Sequence, residues 1–170
     1  MKKSNKLSLK SIIAAGTVFV SRLGYLPANV SPLGSFGFFG QSSWLFFTTI
    51  ILFDWLVGGF YPGFWVTYLG FAMYPLLGKL AKNTRLQVIL LPLASFSFFL
   101  ISNLGVWWYW YPHTLIGLTT CYLLAVPFYK YTLLGDLIFG YSYLLSKKSS
   151  LRFLKSLANI IKPCLALLSI

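Results

Sequence analysis

Apolar runs follow one another along nearly the whole chain, at residues 11–23, 32–42, 43–58, 64–80, 86–106, 113–129 and 132–146. Of the 170 residues, 58% are apolar and only 9% are charged, and the mean hydropathy is +0.76. Soluble domains carry about 25% charged residues. A chain this poor in charge cannot cover itself with hydrated groups, so lipid is the solvent for most of its surface. The runs predict an all-α, polytopic membrane helical bundle. It forms one integral membrane domain over 1–170, with the bundle over 8–146 and a tail over 147–170. A full crossing takes roughly 20 residues. Several runs are shorter than that, and Gly or Pro interrupts them.

A net charge of +12 in a soluble chain would suggest nucleic acid. The distribution excludes that reading. Lys2, Lys3, Lys6 and Lys10 precede the first run; Lys79, Lys82 and Arg85 separate two others; Lys147, Lys148, Arg152, Lys155 and Lys162 follow the last. Cations grouped between spans mark cytoplasmic ends, held there by the positive-inside bias and by anionic headgroups.

These clusters constrain the count of crossings. If the N-terminus and Lys79–Arg85 are both inside, an even number of crossings lies between them. The segments 11–23, 43–58 and 64–80 give an odd number, and taking 32–42 as a short extra crossing restores parity. The cluster Trp107-Trp108-Tyr109-Trp110-Tyr111 then lies outside as an interfacial belt, or as a stacking surface for a ligand, and Lys130 lies inside. The segment 132–146 contains Gly135, Asp136 and Gly140. A full crossing there would put Lys147 and Lys148 outside. Six crossings with both termini cytoplasmic are therefore preferred to seven, with 132–146 re-entrant or continuous with its predecessor. In the tail, Leu151, Leu154, Leu157, Ala158 and Ile161 share one helical face, while Lys148, Arg152, Lys155, Asn159 and Lys162 share the other. That pattern predicts a basic amphipathic helix on the inner membrane surface, with a solvated tail as the alternative.

The start resembles a secretory signal, but Ser21-Arg22-Leu23-Gly24 supplies no small-x-small cleavage site, so a retained first helix is expected. Cys121 and Cys164 are isolated thiols in a chain with one histidine, which argues against a metal site or disulfide framework. No cofactor is indicated.

Chemistry is expected at polar groups that lipid would penalise. Only two acids occur, Asp54 and Asp136, and both lie inside apolar runs. An ionisable group at membrane depth costs about 2.5–3.5 kcal/mol on insertion scales. They are candidates for binding a polar or cationic ligand, relaying a proton, or pairing with a cation such as Arg22 or Lys130. Helix capping and interhelical packing are the plainer uses. A second group is Asn29-Val30-Ser31-Pro32-Leu33-Gly34, followed by Gly37 and Gly40. Irregular backbone at membrane depth is tolerated only where protein or a water-filled cavity satisfies it, and such broken segments point to transporter sites. A third group joins Ser102, Asn103 and Trp107 to Tyr111-Pro112-His113-Thr114 at the outer end of a span. A lone interfacial histidine is more often structural than catalytic. The chain lacks HExxH, GxSxG, GxGxxG and P-loop motifs, so an enzyme is not expected.

At these motifs the chain resembles a family of small, uncharacterised bacterial integral membrane proteins. That family in turn resembles the substrate-binding S components of energy-coupling factor (ECF) transporters. The matching residues are Asn29–Gly34; Asn103, Gly105 and Trp107; Tyr111–Leu115 with Gly117, Cys121 and Tyr122; and Thr132–Asp136. S components typically dock their transmembrane partner through alanines four apart on the first helix, where this chain offers Ser11/Ala15 and Thr17/Ser21. The resemblance implies a six-helix bundle in the bacterial inner membrane. It also implies an outward-facing pocket covered by the loop before residue 32, and uptake of a small vitamin-like solute. Asn29, Ser31, Asn103, Trp107, Tyr111 and His113 would hold the solute, with Asp54 and Asp136 setting the polarity of the site. The expected partners are an ECF-type transmembrane subunit, separate ATPases and the bilayer, and no nucleic acid. The alternative is a non-transport membrane scaffold whose polar motifs pack helices.

Overall fold

The computed structural model describes residues 9–24, 26, 29–40 and 42–167, of which 150–167 are described as backbone alone. The described chain is all-α. Helix α1 spans Leu9–Ser21, α2 Leu33–Phe39, α3 Ser43–Phe53, α4 Phe64–Leu80, α5 Thr84–Trp110 and α6 Leu115–Leu167. A single π-helical turn, Asp54–Gly58, continues α3.

Helix starts are set by short polar side chains at the edges of the apolar runs. The Ser42 hydroxyl accepts from the Leu45 amide at 3.3 Å, and the Asn83 side-chain oxygen accepts from the Leu86 amide at 2.9 Å. Each satisfies one of the donors that a helix start leaves free. Asn83 follows Lys79 and Lys82, so cap and charges together fix the turn between α4 and α5.

Contacts between helices give their directions. Trp65 meets Tyr109 and Tyr74 meets Phe98, so α4 and α5 are antiparallel. Tyr122 donates to the Leu100 carbonyl and Tyr141 to the Val88 carbonyl, so α6 runs antiparallel to α5. Gly34 lies against Tyr74 and Gly78 against Phe38, which makes α2 parallel to α4. Phe19 packs on Phe53, and Arg22 reaches Asp54, so α1 and α3 end together. One end of the bundle thereby collects Lys10, Lys79, Lys82, Arg85, Lys147 and Lys148. The other end collects Trp55, Trp65, Trp108 and Trp110, all exposed.

The core lies between α2, α3, α4 and α5, around Phe38, Phe46, Ile50, Tyr74, Leu91 and Ala94. Outside it the surface is apolar, from Leu9 on α1 to Leu145 on α6. Two helices are long and apolar enough to cross a membrane, Thr84–Trp110 and Leu115–Ser149. Leu9–Ser21 and Ser43–Gly58 are shorter apolar helices.

Two expectations need correction. The run 32–42 supplies only the seven residues of α2, about 10 Å of helix against a hydrocarbon core of about 30 Å. Pro32 sets where this helix begins and Gly40, extended, ends it, so α2 is no crossing by itself. The run 132–146 is continuous with 113–129, one of the two arrangements expected, because α6 passes through Pro127, Lys130 and Gly135 unbroken; the expectation this corrects is a boundary at Lys130. Lys130 is exposed at mid-length, one residue from Tyr129, whose ring packs on Phe96 and Phe99. It marks no helix end. The tail is helical as far as Leu167, while its side chains from Ser150 onward and residues 168–170 lie outside the described residues.

Candidate functional site

The irregular stretch 29–32 runs alongside α6 at mid-length. Gly135 leaves no room there for a side chain, the Ser31 and Val30 backbone lying where a Cβ would stand. Asn29 adopts φ 67°, the left-handed conformation that asparagine tolerates better than most residues. Ser31 accepts from the Leu33 amide at 3.3 Å and so opens α2.

Between this stretch and the helices is a cavity of about 470 Å³. Asp136, at 1% exposure, forms its floor. The Tyr74 hydroxyl donates to Asp136 Oδ2 at 2.6 Å, and the Ser35 hydroxyl donates to the Asp136 main-chain oxygen at 3.0 Å. Ser95, fully buried, lies beside the same pair. Gly34 is required by this packing, since a Cβ there would overlap Asp136 Oδ1 and the Tyr74 ring.

Arg22 stands higher on the cavity wall. Its Nη2 lies 3.6 Å from Asp54 Oδ1, and its guanidinium rests 3.9 Å above the Phe53 ring. The Tyr68 hydroxyl donates to Asp54 Oδ2 at 2.8 Å. Asp54 heads the π turn, a backbone irregularity that often accompanies functional positions. Arg22 Nη1 is buried and has no hydrogen-bond partner. A guanidinium nitrogen left in this way is uncommon, because burying a donor without an acceptor costs about 1–3 kcal/mol.

Residues 2–151 match a family of unknown function, DUF6580. The chain belongs to DUF6580. The match begins ahead of α1 and stops one residue past Ser150, so it takes in the whole bundle and leaves out most of the basic tail. No curated protein and no solved structure is significantly similar to the chain.

Of the residues expected at a site in this DUF6580 chain, Asn29, Ser31 and Asp136 line the one cavity. Asn103 lines an adjoining space of about 190 Å³, to which Asn29 and Thr132 also contribute. Its side-chain amide nitrogen donates to the Phe99 carbonyl at 2.8 Å, within its own helix. Asp54 touches the cavity through Arg22. Trp107, Tyr111 and His113 lie elsewhere, Trp107 in the last turn of α5 and the other two in the connection to α6. Trp107 Nε1 donates to the Pro112 carbonyl at 3.1 Å, His113 Nε2 lies 2.7 Å from the Trp108 carbonyl, and its ring stacks on Trp108 at 4.5 Å. Tyr111 caps α5, its amide donating to the Trp107 carbonyl. These three build a turn. Among the described residues, no three His, Cys, Asp or Glu side chains gather as metal ligands would.

Sequence reasoning reached Arg22 only as a partner for an acid, and it missed Tyr74, Tyr68, Ser35 and the steric role of Gly34. Tyrosine is too common here, at eleven residues, for two of them to stand out. The available signal was indirect: two acids in apolar surroundings imply donors somewhere within the bundle.

Proposed function

We propose that this chain is a multi-pass protein of the bacterial inner membrane that captures a small solute in its central cavity. The cavity carries the reading: it combines about 470 Å³ of space with a buried acid, an incompletely bonded arginine and irregular backbone at mid-depth. Irregular backbone of this kind is stable in a membrane only against protein or a water-accessible space. The basic groups gathered at one end of the bundle support the orientation, with that end cytoplasmic. In this reading the second pass is half loop and half helix, completed by α2. Six passes then leave both termini inside.

The role is that of a substrate-binding subunit similar to the S components of ECF transporters, for a vitamin-like solute. Separate ATPase subunits would supply energy through a transmembrane partner. Mass spectrometry of the purified protein should find a co-purifying solute, and thermal unfolding should shift with a member of a vitamin panel. A protein that carries nothing and responds to nothing in that panel is not a solute-binding subunit.

One observation favours the scaffold reading instead. An open groove of about 510 Å³ between α1, α2 and α6, lined by Thr17, Phe36, Phe39, Phe139 and Tyr143, is largely apolar. Alanine at Asn29 or Ser31 separates the readings. A binding protein loses solute while still folding, whereas a scaffold loses assembly.

A further inference from the structure

The ionisable groups around the cavity are not all paired. Arg22, Asp54 and Asp136 are the charged side chains on or beside it among the described residues. Arg22 faces Asp54 at 3.6 Å, and these two cancel. Asp136 receives the Tyr74 hydroxyl but faces no cation, since Arg22–Asp54 is the sole ion pair among the described residues. A buried carboxylate is stable when it is paired as well as hydrogen-bonded. Arg22 lines the same cavity, and its buried Nη1 has a proton to donate and no acceptor. The cavity therefore presents one carboxyl group that no cation faces and one unused donor.

On the solute-binding reading above, we propose that the solute is a small monocation whose protonated nitrogen faces Asp136 and whose neutral oxygen accepts from Arg22 Nη1. The oxygen belongs to a carbonyl, ether or hydroxyl. A carboxylate in that place would set a second negative charge beside Asp54 around a single guanidinium, in surroundings where like charges repel strongly. The rings of Phe71 and Phe98, which also line the cavity, give it apolar walls. Those walls suit a planar or hydrocarbon body, and an aromatic face also attracts a cation.

The test uses the full chain in lipid nanodiscs and probes that share a skeleton but differ in charge. Phenylalaninamide is a monocation with a carbonyl, held below the pH at which its amine loses its proton. N-acetylphenylalaninamide is neutral, phenylalanine zwitterionic and N-acetylphenylalanine anionic. The same four forms of alanine and tryptophan vary the size. In at least one skeleton the cation should bind roughly thirtyfold or more tightly than its neutral form and raise the unfolding temperature accordingly. Asp136→Asn retains an acceptor for Tyr74 and should bring that ratio close to one. A neutral, zwitterionic or anionic form that binds as well as the cation overturns the assignment. So does a preference that survives in Asp136→Asn. Silence across the whole series also overturns it, while the solute reading itself is decided separately by the vitamin panel.

Discussion

The hydroxyl of Tyr74 meets Oδ2 of Asp136 at 2.6 Å, although 62 positions separate the two in the chain. The bond ties α4 to α6, two helices that each pack on α5. Replacing Tyr74 by Phe removes the donor and leaves the buried carboxylate short of a partner. The expected loss is about 1–3 kcal/mol. Thermal unfolding in nanodiscs reads it, and an unchanged midpoint would show that the bond contributes nothing.

Arg22 and Asp54 are expected to behave as a unit. Each is mostly buried, with side-chain exposures of 20% and 14%, so removing one leaves the other's charge poorly solvated. Arg22→Gln or Asp54→Asn alone should cost about 1–3 kcal/mol, less than a fully buried pair because water still reaches both groups. The double variant should recover part of that loss. A double-mutant cycle with no coupling energy would sink the pairing.

Two glycine substitutions should act in opposite directions. A Cβ on Gly78 would strike the main-chain carbonyl of Phe38, which cannot turn aside as a side chain can. Gly78→Ala is expected to destabilise by about 1–3 kcal/mol through overpacking of α4 against α2. Gly16, inside α1, has nothing within 4 Å of its Cβ position. Gly16→Ala should stabilise by roughly 0.5–1 kcal/mol through the lost backbone freedom of glycine. Equal effects at the two positions would contradict the close approach at Gly78.

The membrane reading has a direct test in chemical labelling. With Cys121 and Cys164 replaced by Ser, single cysteines at Lys82 and at Trp110 stand at opposite ends of α5, a helix of about 40 Å. An impermeant thiol reagent applied to intact cells should label the position at 110 and spare the one at 82. Inverted vesicles should reverse the pattern. Labelling of both from one side would mean that α5 does not cross.

Much of the helical layout was legible because apolar runs end at visible punctuation. The runs 43–58 and 64–80 coincide with α3 plus its π turn and with α4, bounded by Gly58-Gly59, Gly63 and the Lys79–Lys82 pair. Where a local signal left two arrangements open, packing decides between them. Lys130 suggests a boundary between two runs, but the side chains of Tyr122, Tyr129 and Tyr141 engage α5 both before and after it and hold α6 continuous rather than re-entrant. Within the candidate site, Asn29, Ser31 and Asp136 stood out because each is polar in apolar company. Trp107 and His113 stood out for the same reason, and yet they close a turn. Type and neighbourhood alone do not distinguish a side chain bonded to its own loop from one facing a cavity.

The stretch at 29–32 belongs to neither helix that flanks it. Its side chains can be exchanged without breaking a ladder of helical hydrogen bonds, whereas the same change on α4 or α5 would disturb the core around Tyr74 and Leu91. Substitutions in this stretch can therefore reshape one wall of the cavity while the packing of the bundle that carries it is kept.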